Sequence, residues 1–257
     1  TVVHDLFQTD TADYADIVLP ATSFFEHYDI NTSYFHSCLS VNEKAIEPLG
    51  DARSNSDTFR ALASAMRLTQ KELFEEDEKV AKNLVSKNKS VEGRFEDITK
   101  KGFLRLKVPD RRAYPTPSKK IELYSAAAEA EGLGGLPSHV QVTSDLPYML
   151  LTPVHKFLIR SQYHQRWQDI KPVVYVNPKD AKAEGVEDGS MVTLSNELGD
   201  WEVKCELSDT VPRGVLVAYS ALWPKLSGGA SANFLTTDYV QRYGQNSDFN
   251  STFVKMM

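Results

Sequence analysis

The stretch VNPKDAKAEGVEDGSMVTLSN, residues 176–196, decides the fold of the C-terminal half of the chain. It begins at the end of an apolar run rich in β-forming residues. Asn177-Pro178 then supplies an N-cap followed by a proline at the first helical position, and Gly185 is placed to end the helix. A second apolar run, Met191–Ser195, follows soon after. The stretch therefore predicts a strand, a short helix and another strand.

The same β-rich pattern continues on both sides of this stretch. Trp201–Leu207 alternates apolar and polar residues, and together with the preceding run it predicts a β-hairpin. The turn is expected at Leu198-Gly199-Asp200, with Gly199 in the left-handed conformation. Further strands are predicted at Tyr148–Thr152, Val173–Val176 and Val215–Tyr219. Strands at this density around one short helix indicate a compact β-barrel.

The N-terminal part has a different pattern. Val2–Leu6 predicts a buried strand, Ala12–Ala15 a short helix and Ile17–Leu19 a second strand. Strand, helix and strand in this order are typical of a parallel α/β sheet, whose ligands usually bind at the carboxyl ends of the strands. These elements are too few to close a sheet, so residues 1–68 are predicted to be an incomplete α/β domain.

The middle of the chain is predicted to be helical and irregular. A helix is expected from the N-cap candidate Ser56, and residues 70–89 form a highly charged stretch that indicates a solvated surface helix. Residues 90–118 are expected to be a connector with extended pieces around Phe103–Val108. The expected domains are 1–68 as the α/β part, 69–146 as a helical insertion and connector, and 147–257 as the barrel.

Composition and cysteine content exclude several classes of protein. The chain has 257 residues and a formal net charge of −6, and because it lacks a basic stripe no nucleic-acid partner is expected. Apolar stretches such as Gly214–Trp223 are shorter than the roughly 20 residues of a membrane span, so none is predicted. Cys38 and Cys205 are too few for an iron–sulfur cluster. His27 and His36 do not have the spacing of a metal site with Cys38, so no metal ligand is predicted.

Three stretches carry a family resemblance. They are VVHDLFQTDTADYADIVLPATSFFE at 2–26, YPTPSKKIELYS at 114–125, and the region 148–257, which contains LLTPVHKFLIRSQY, VPRGVLVAYSALWP and ANFLTTD. Together they resemble the molybdopterin oxidoreductases, the superfamily of dimethyl-sulfoxide reductase and formate dehydrogenase. The resemblance implies that residues 147–257 are the molybdopterin-dinucleotide-binding domain, a six-stranded double-psi β-barrel. It also implies that residues 1–68 are the C-terminal part of an α/β cofactor-binding domain.

The resemblance further implies a cofactor and a set of residues that bind it. The cofactor is molybdopterin guanine dinucleotide with molybdenum or tungsten, whose phosphates, base and pterin need hydroxyl, amide and guanidinium partners. An iron–sulfur cluster is expected only in an N-terminal part of the same protein. The cofactor-binding candidates are Asp5, Thr9, Thr152, His155, Arg160, Ser161, Gln162, Asn233, Gln245, Phe249 and Asn250, with Asp29 as an additional one.

The resemblance implies that the chain is the C-terminal portion of a molybdenum or tungsten oxidoreductase. Its function would be to bind a bis-molybdopterin-guanine-dinucleotide cofactor and to position it for oxygen-atom or proton-coupled electron transfer. Its partners would be a small-molecule substrate, the N-terminal part of the same chain and electron-transfer subunits. No catalytic residue is predicted here, because the metal ligand belongs to that N-terminal part. The first residue, Thr1, favours a fragment that is inactive alone, and without a signal sequence the cytoplasm is favoured. Two alternatives stay open: a separately encoded, non-catalytic pterin-binding subunit, and a barrel used for protein interaction.

Overall fold

A computed structural model of the chain describes residues 1–110, 112–139, 141–160, 162–241 and 244–257. The chain forms two compact units, Thr1–Glu122 and Leu123–Met257. The division into three domains with boundaries at residues 68 and 146 stays a prediction. None of the helices in the described ranges is long and apolar enough to cross a membrane.

The first unit opens with the predicted strand–helix–strand segment. Its elements are β1 (Val2–Asp5), α1 (Asp10–Asp13) and β2 (Ile17–Pro20). The two strands pair in parallel, with Val2 opposite Ile17, so the α/β prediction for this segment is confirmed. Helix α1 begins where the Thr9 hydroxyl accepts the Ala12 N–H at 3.3 Å, which satisfies one of the helix's free backbone donors.

The rest of the first unit contains an antiparallel sheet that the sequence pattern did not predict. The elements are β3 (Asp29–Thr32), β4 (Cys38–Asn42), α2 (Asn55–Ala65), α3 (Asp77–Lys87), β5 (Val91–Glu92), α4 (Glu96–Lys101) and β6 (Leu104–Leu106), with a 3-10 turn at Lys71–Phe74. The sheet order is β3-β4-β6-β5. Residues 90–118 supply two strands and a helix. Strand β6 lies within the extended piece predicted around Phe103–Val108, whereas β5 and α4 were not predicted. Strands of two or three residues are too short to show a period of two.

A small apolar cluster holds this sheet to its helices. It consists of Leu39, Val85, Ile98 and Leu104, all buried. Helix α2 begins two residues earlier than predicted, because Ser54 rather than Ser56 is the N-cap, and its hydroxyl accepts the Asp57 N–H at 3.0 Å. Helix α3 is largely solvated, as its charged sequence predicts.

The second unit contains a closed six-stranded barrel. Its elements are α5 (Ala126–Ala130), β7 (Tyr148–Leu151), β8 (Val173–Val176), α6 (Pro178–Glu184), β9 (Met191–Asn196), β10 (Gly199–Leu207), β11 (Val215–Ala218) and β12 (Thr252–Met256), with 3-10 turns at Pro224–Leu226, Ala232–Phe234 and Phe249–Ser251. The strand order around the barrel is β10-β8-β11-β7-β12-β9. The predicted six-stranded barrel is confirmed. Its sixth strand is β12, which the residue pattern alone did not indicate.

The barrel interior is apolar. Leu150, Val176, Leu194, Leu216 and Val254 are completely buried, and each comes from a different strand. Trp201, on β10, is 1% exposed and fills the space between them. The alternation of buried and more exposed residues along these strands is the pattern of a barrel filled by its own side chains.

The pairing directions decide which loops share an end of the barrel. β11 runs parallel to β7 and antiparallel to β8, with Leu216 opposite both Leu150 and Val176. The carboxyl ends of β7 and β11 therefore lie where β8 begins. β12 is antiparallel to β7, so the residues before Thr252 emerge at this same end, which we call the loop end. Helix α6 follows the carboxyl end of β8 and lies at the opposite, helix end.

Helix α6 is fixed by the signals that its sequence contains. The Asn177 side chain accepts the Lys179 N–H at 2.9 Å and donates to the Val211 carbonyl at 2.8 Å, and Gly185 ends the helix with a φ of 70°. Buried Asp180 accepts the Gly214 N–H at 2.7 Å. These contacts connect the helix to the turn before β11 and so hold the helix end of the barrel together.

The β9–β10 hairpin turns one position earlier than predicted. Asn196 is opposite Gly199, so the loop is Glu197-Leu198 and Gly199 belongs to β10. Its φ is not among the positive ones, and the prediction of a left-handed glycine is wrong. A Cβ at this position would lie 3.3 Å from the Phe234 carbonyl oxygen. Close packing, rather than backbone handedness, therefore calls for a glycine here.

The close approach at Gly199 gives the first testable expectation. Gly199→Val should lower the free energy of unfolding by about 1–3 kcal/mol, because its side chain would press on the Phe234 backbone. Urea unfolding measures the change. Glu202→Val, at an exposed position of the same strand, is the control and should stay within about 0.5 kcal/mol of the parent. Equal stability of the two variants would contradict the contact.

The two partners of Asp180 are expected to differ in importance. Asp180→Ala should cost about 1–3 kcal/mol, because the Gly214 N–H loses its acceptor. Arg213→Ala should cost at most about 1 kcal/mol, since its side chain is 69% exposed and its ion pair with Asp180 is screened by water. Urea unfolding of both variants tests this ranking, and an equal loss in the two would assign the stabilisation to the ion pair instead.

Candidate functional site

A polar cleft of about 360 Å³ lies in the second unit, at the loop end of the barrel. Its lining residues are Thr152, Arg160, Ser220, Asn233, Thr236, Thr237, Asp238, Ser247 and Phe249. Four of the sequence-predicted residues, Thr152, Arg160, Asn233 and Phe249, meet in it. They come from the loops after β7 and β11 and from the turn before β12, which the strand directions bring to one end.

The two loops that form the floor of this cleft are hydrogen-bonded to each other. Thr152 directly follows β7 and is buried. The next residue, Pro153, offers its carbonyl oxygen to the Ser220 N–H at 2.9 Å and to the Ser220 hydroxyl at 3.3 Å. Thr152 and Ser220 therefore sit on a fixed framework, as a binding site requires.

The rim of the cleft carries a guanidinium and an amide. Arg160 is exposed and has a φ of 53°, a backbone conformation that non-glycine residues adopt mainly at turns and functional sites. Asn233 is exposed and lies in the 3-10 turn Ala232–Phe234. Its carbonyl oxygen accepts the Thr236 hydroxyl at 3.3 Å, a bond that does not use its side-chain amide. Arg160 is the cationic member among the residues described as lining this cleft.

Several predicted residues do not line the cleft. Gln162 is exposed, and its backbone N–H bonds to the Ile159 carbonyl. Gln245 and Asn250 are also exposed and do not line the cleft, although Asn250 adjoins Phe249. Ser161 lies outside the described residues.

His155 is half-buried beside aromatic side chains. Its ring packs edge-on against Tyr219 at 4.7 Å between centroids and lies 5.5 Å from Phe157. Burial, with a smaller effect of the Lys156 charge, lowers the pKa of the His155 imidazole from its usual 6.5. The ring is therefore neutral at neutral pH and offers a hydrogen bond rather than a positive charge.

A second cleft, of about 450 Å³, lies in the first unit. It is found where β1 and β2 end, the edge at which parallel sheets bind ligands. Asp5 and Asp29 both line it, together with Arg53 and Asn55. One Asp5 carboxylate oxygen accepts the Leu6 N–H at 2.6 Å, which orients the side chain. Asp5 and the additional candidate Asp29 are thus brought together.

Thr9 does not line this second cleft, and its hydroxyl caps α1 instead. Sequence reasoning also missed residues of the barrel cleft. Thr236, Thr237 and Asp238 belong to the same ANFLTTD stretch as Asn233, and their polar run directly after a turn was the available signal. Ser220 and Ser247 carried no local signal.

A buried histidine supports the loop that carries Arg160. His164 is fully buried, and its Nδ1 accepts the Trp223 N–H at 2.8 Å while Nε2 lies 3.3 Å from the Ile170 carbonyl oxygen. This pairing sets the tautomer, with the proton on Nε2. Within the described parts of the chain, no group of three histidine, cysteine or acidic side chains is placed to hold a metal ion.

The donor set of the barrel cleft fits a phosphorylated heterocyclic ligand. Hydroxyls, one amide and one guanidinium are the groups that bind phosphate oxygens and base edges, and Phe249 adds an aromatic surface. The lining also contains one carboxylate, on the exposed Asp238. The volume lies within the range of small-molecule sites, about 300–1,000 Å³. Because two connections contribute, β7–β8 and the long β11–β12 segment, the cleft can contact several parts of one extended ligand.

Comparison with known families finds two matches. Residues 149–253 match the family described as "Molydopterin dinucleotide binding domain", and residues 1–65 match the family described as "Molybdopterin oxidoreductase". The barrel cleft belongs to the first matched segment, and the second cleft belongs to the other.

Individual proteins are also similar to this chain. The chain is 36% identical over 271 residues to the probable oxidoreductase YoaE of Bacillus subtilis (strain 168), covering 100% of this chain and 39% of that protein. It is 29% identical over 266 residues to a dimethyl sulfoxide/trimethylamine N-oxide reductase of Cereibacter sphaeroides, covering 86% and 32%. The chain therefore spans 32% to 39% of the length of these relatives.

A solved structure shares the fold. The acetylene hydratase from Pelobacter acetylenicus superposes with a TM-score of 0.78 and 21% identity, covering 99% of this chain and 40% of that one. At this identity the likeness shows the fold alone.

The environment of His155 predicts its titration. Its NMR midpoint should lie below 6.5, because burial disfavours the charged ring. A pKa that is lower in the folded than in the unfolded state means that the unfolded chain binds more protons in this range. The contribution of His155 to stability is then present above pH 6.5 and decreases as the pH falls towards the folded-state value. A midpoint at or above 6.5 would contradict the buried position.

Proposed function

We propose that this chain, which belongs to the molybdopterin oxidoreductases, binds molybdopterin guanine dinucleotide at the loop end of its barrel and positions it in a longer oxidoreductase. The observation that carries the proposal is the convergence of Thr152 and Arg160 with Asn233 in one polar cleft, although Asn233 is distant from the other two in the sequence. The family match of the barrel region supports the same ligand.

Each group in the barrel cleft has a chemically defined task in this proposal. Arg160 holds the pyrophosphate by paired N–H donors, which a guanidinium provides in a fixed fork. Thr152 and Ser220 add neutral hydroxyl donors from the hydrogen-bonded floor. The amide of Asn233 bonds a polar edge of the pterin or base, and Phe249 covers one face.

The cleft of the first unit is proposed to bind guanosine. A carboxylate accepts the two neighbouring N–H donors on the guanine edge, and Asp5 and Asp29 both line that cleft. More distant parts of the cofactor are proposed to contact His155, Gln162, Gln245 and Asn250. Ser161 is included in this proposal because of its place in the sequence, next to Arg160 and Gln162. Thr9 is proposed to contribute to this guanosine site indirectly, because its hydroxyl caps helix α1, which follows Asp5 in the chain.

The reaction proposed for the whole protein is oxygen-atom or proton-coupled electron transfer to a small-molecule substrate. The bound cofactor, with molybdenum or tungsten, supplies the redox chemistry, and this chain's residues hold and orient it. Two similar proteins support this reaction, since one is named a dimethyl sulfoxide/trimethylamine N-oxide reductase and the other a probable oxidoreductase. The metal ligand, any iron–sulfur cluster and the contacts to electron-transfer subunits would lie in other parts of the protein.

The test is cofactor retention by the full-length protein. Arg160→Ala and Asn233→Ala should each lower the guanine nucleotide and metal bound per protein, because a hydrogen bond to a charged group contributes about 1.5–3 kcal/mol, or roughly tenfold in affinity. The nucleotide is released by acid and measured by chromatography, and the metal by mass spectrometry.

Lys182→Ala is the matched control. It removes an exposed cation from α6, at the helix end of the same barrel, and should keep full occupancy. If the two cleft variants hold as much nucleotide and metal as this control, the proposed site is wrong. A protein that contains no pterin at all would favour the barrel used for protein interaction.

A further inference from the structure

A third cavity, of about 760 Å³, lies in the first unit, apart from the cleft at the ends of β1 and β2. It is formed by the last turns of α3, the strand β5, the start of α4 and the residue after β6. Its residues fall between 82 and 107, whereas the two family matches cover 1–65 and 149–253. The family matches therefore leave this cavity without a role.

The cavity lining is strongly cationic. Lys82, Lys89, Arg94 and Lys107 line it, against a single carboxylate, Glu96. Two of the cations have acidic neighbours, because Lys82 pairs with Glu78 at 3.3 Å and Asp97 lies beside Arg94. Across the described ranges, no ion pair engages Lys89 or Lys107.

Backbone pairing brings these two lysines together. Val91 is opposite Leu106 in the sheet, and the Lys107 N–H donates to the Ser90 carbonyl at 2.7 Å. Lys107 therefore lies opposite Ser90, the residue after Lys89, and both lysines line the cavity. Their positive charges repel each other, and an anion bound between them removes that repulsion.

The turn that carries Lys89 has a fixed conformation. The Asn88 side chain accepts the Ser90 N–H at 2.9 Å, and the Asn88 carbonyl oxygen accepts the Val91 N–H at 3.0 Å. A cationic group on an ordered turn loses less entropy on binding than one on a free segment.

The floor of the cavity is apolar and aromatic. Val85 is 4% exposed, and Val91 and Phe95 pack against the same small core. The Lys82 ammonium lies 5.5 Å from the centre of the Phe95 ring. An aromatic surface bordered by cations can take the planar base of a ligand while its charged groups meet the lysines.

We propose that this cavity binds a nucleoside diphosphate, with its phosphates on Lys89, Arg94 and Lys107 and its base against Phe95. A volume of about 760 Å³ exceeds the need of a free phosphate and lies within the range for small organic ligands. This site is independent of the cofactor proposed for the barrel.

The experiment is isothermal titration of the full chain with ADP and, separately, with inorganic pyrophosphate at constant ionic strength. The parent should bind ADP more tightly than pyrophosphate. The double variant Lys89→Ala/Lys107→Ala should bind ADP at least tenfold more weakly, because it loses charge-assisted contacts to phosphate. Lys100→Ala/Lys101→Ala removes the same charge from the exposed end of α4 outside the cavity and should retain the parent's affinity.

Other outcomes would overturn the proposal. An equal loss of ADP affinity in the two double variants would mean that ADP responds only to the overall electrostatic potential of the protein and not to a site in this cavity. If pyrophosphate binds as tightly as ADP, the cavity does not recognise the nucleoside, and the proposal of a nucleoside diphosphate is wrong. A loss of ADP binding in Arg160→Ala, with none in Lys89→Ala/Lys107→Ala, would place the nucleotide in the barrel cleft.

Discussion

The directions of the barrel strands are the constraint on which the candidate site depends. Two of the six pairings are parallel, β7 with β11 and β8 with β10, and the others are antiparallel. Because β7 and β11 run the same way, Thr152 and Ser220 leave the barrel side by side, and their loops are joined by the bonds to Pro153. An up-and-down barrel would send successive loops to opposite ends. The buried carboxylate of Asp180 holds the opposite, helix end of the barrel through its bond to the Gly214 N–H.

The sequence predicted correctly those secondary-structure elements that are stabilised by contacts between residues close together in the chain. Asn177, Pro178 and Gly185 fixed α6 from sequence alone, because a helix cap is satisfied within a few residues. Gly199 was misinterpreted because its reason is not local: the Phe234 carbonyl approaches it from a turn distant in the sequence. Strand β5 was missed for the same reason, since two residues show no period and its stability comes from its pairing with β6, which carries the buried Leu104.

For the candidate site too, contacts between residues distant in the sequence could not be predicted from local patterns. Nothing in the spacing of Thr152, Arg160 and Asn233 shows that they meet, and only the resemblance selected them before the strand directions brought them together. The same resemblance selected Gln245, which does not line the cleft, and it did not select Asp238, which does. A family motif identifies a segment that approaches a ligand, but the side chains within it that face the ligand depend on turn geometry.

The two anion sites proposed for this chain, the barrel cleft and the lysine-lined cavity, differ in the charges that they offer to a ligand. A net charge of −6 repels a polyanion at long range, so any anion site must offset that field locally. The barrel cleft contains one guanidinium, on the exposed Arg160, and one carboxylate, on Asp238, so it relies mainly on neutral donors such as the buried Thr152. Salt screens the hydrogen bonds of neutral donors little. The cavity beside β5 instead collects exposed lysines, whose attraction is screened within about 10 Å at 0.1 M salt. Binding at the barrel should therefore persist as the ionic strength rises, whereas binding at the lysine cavity weakens. A resident cofactor suits the first behaviour, and a ligand that exchanges with solution suits the second.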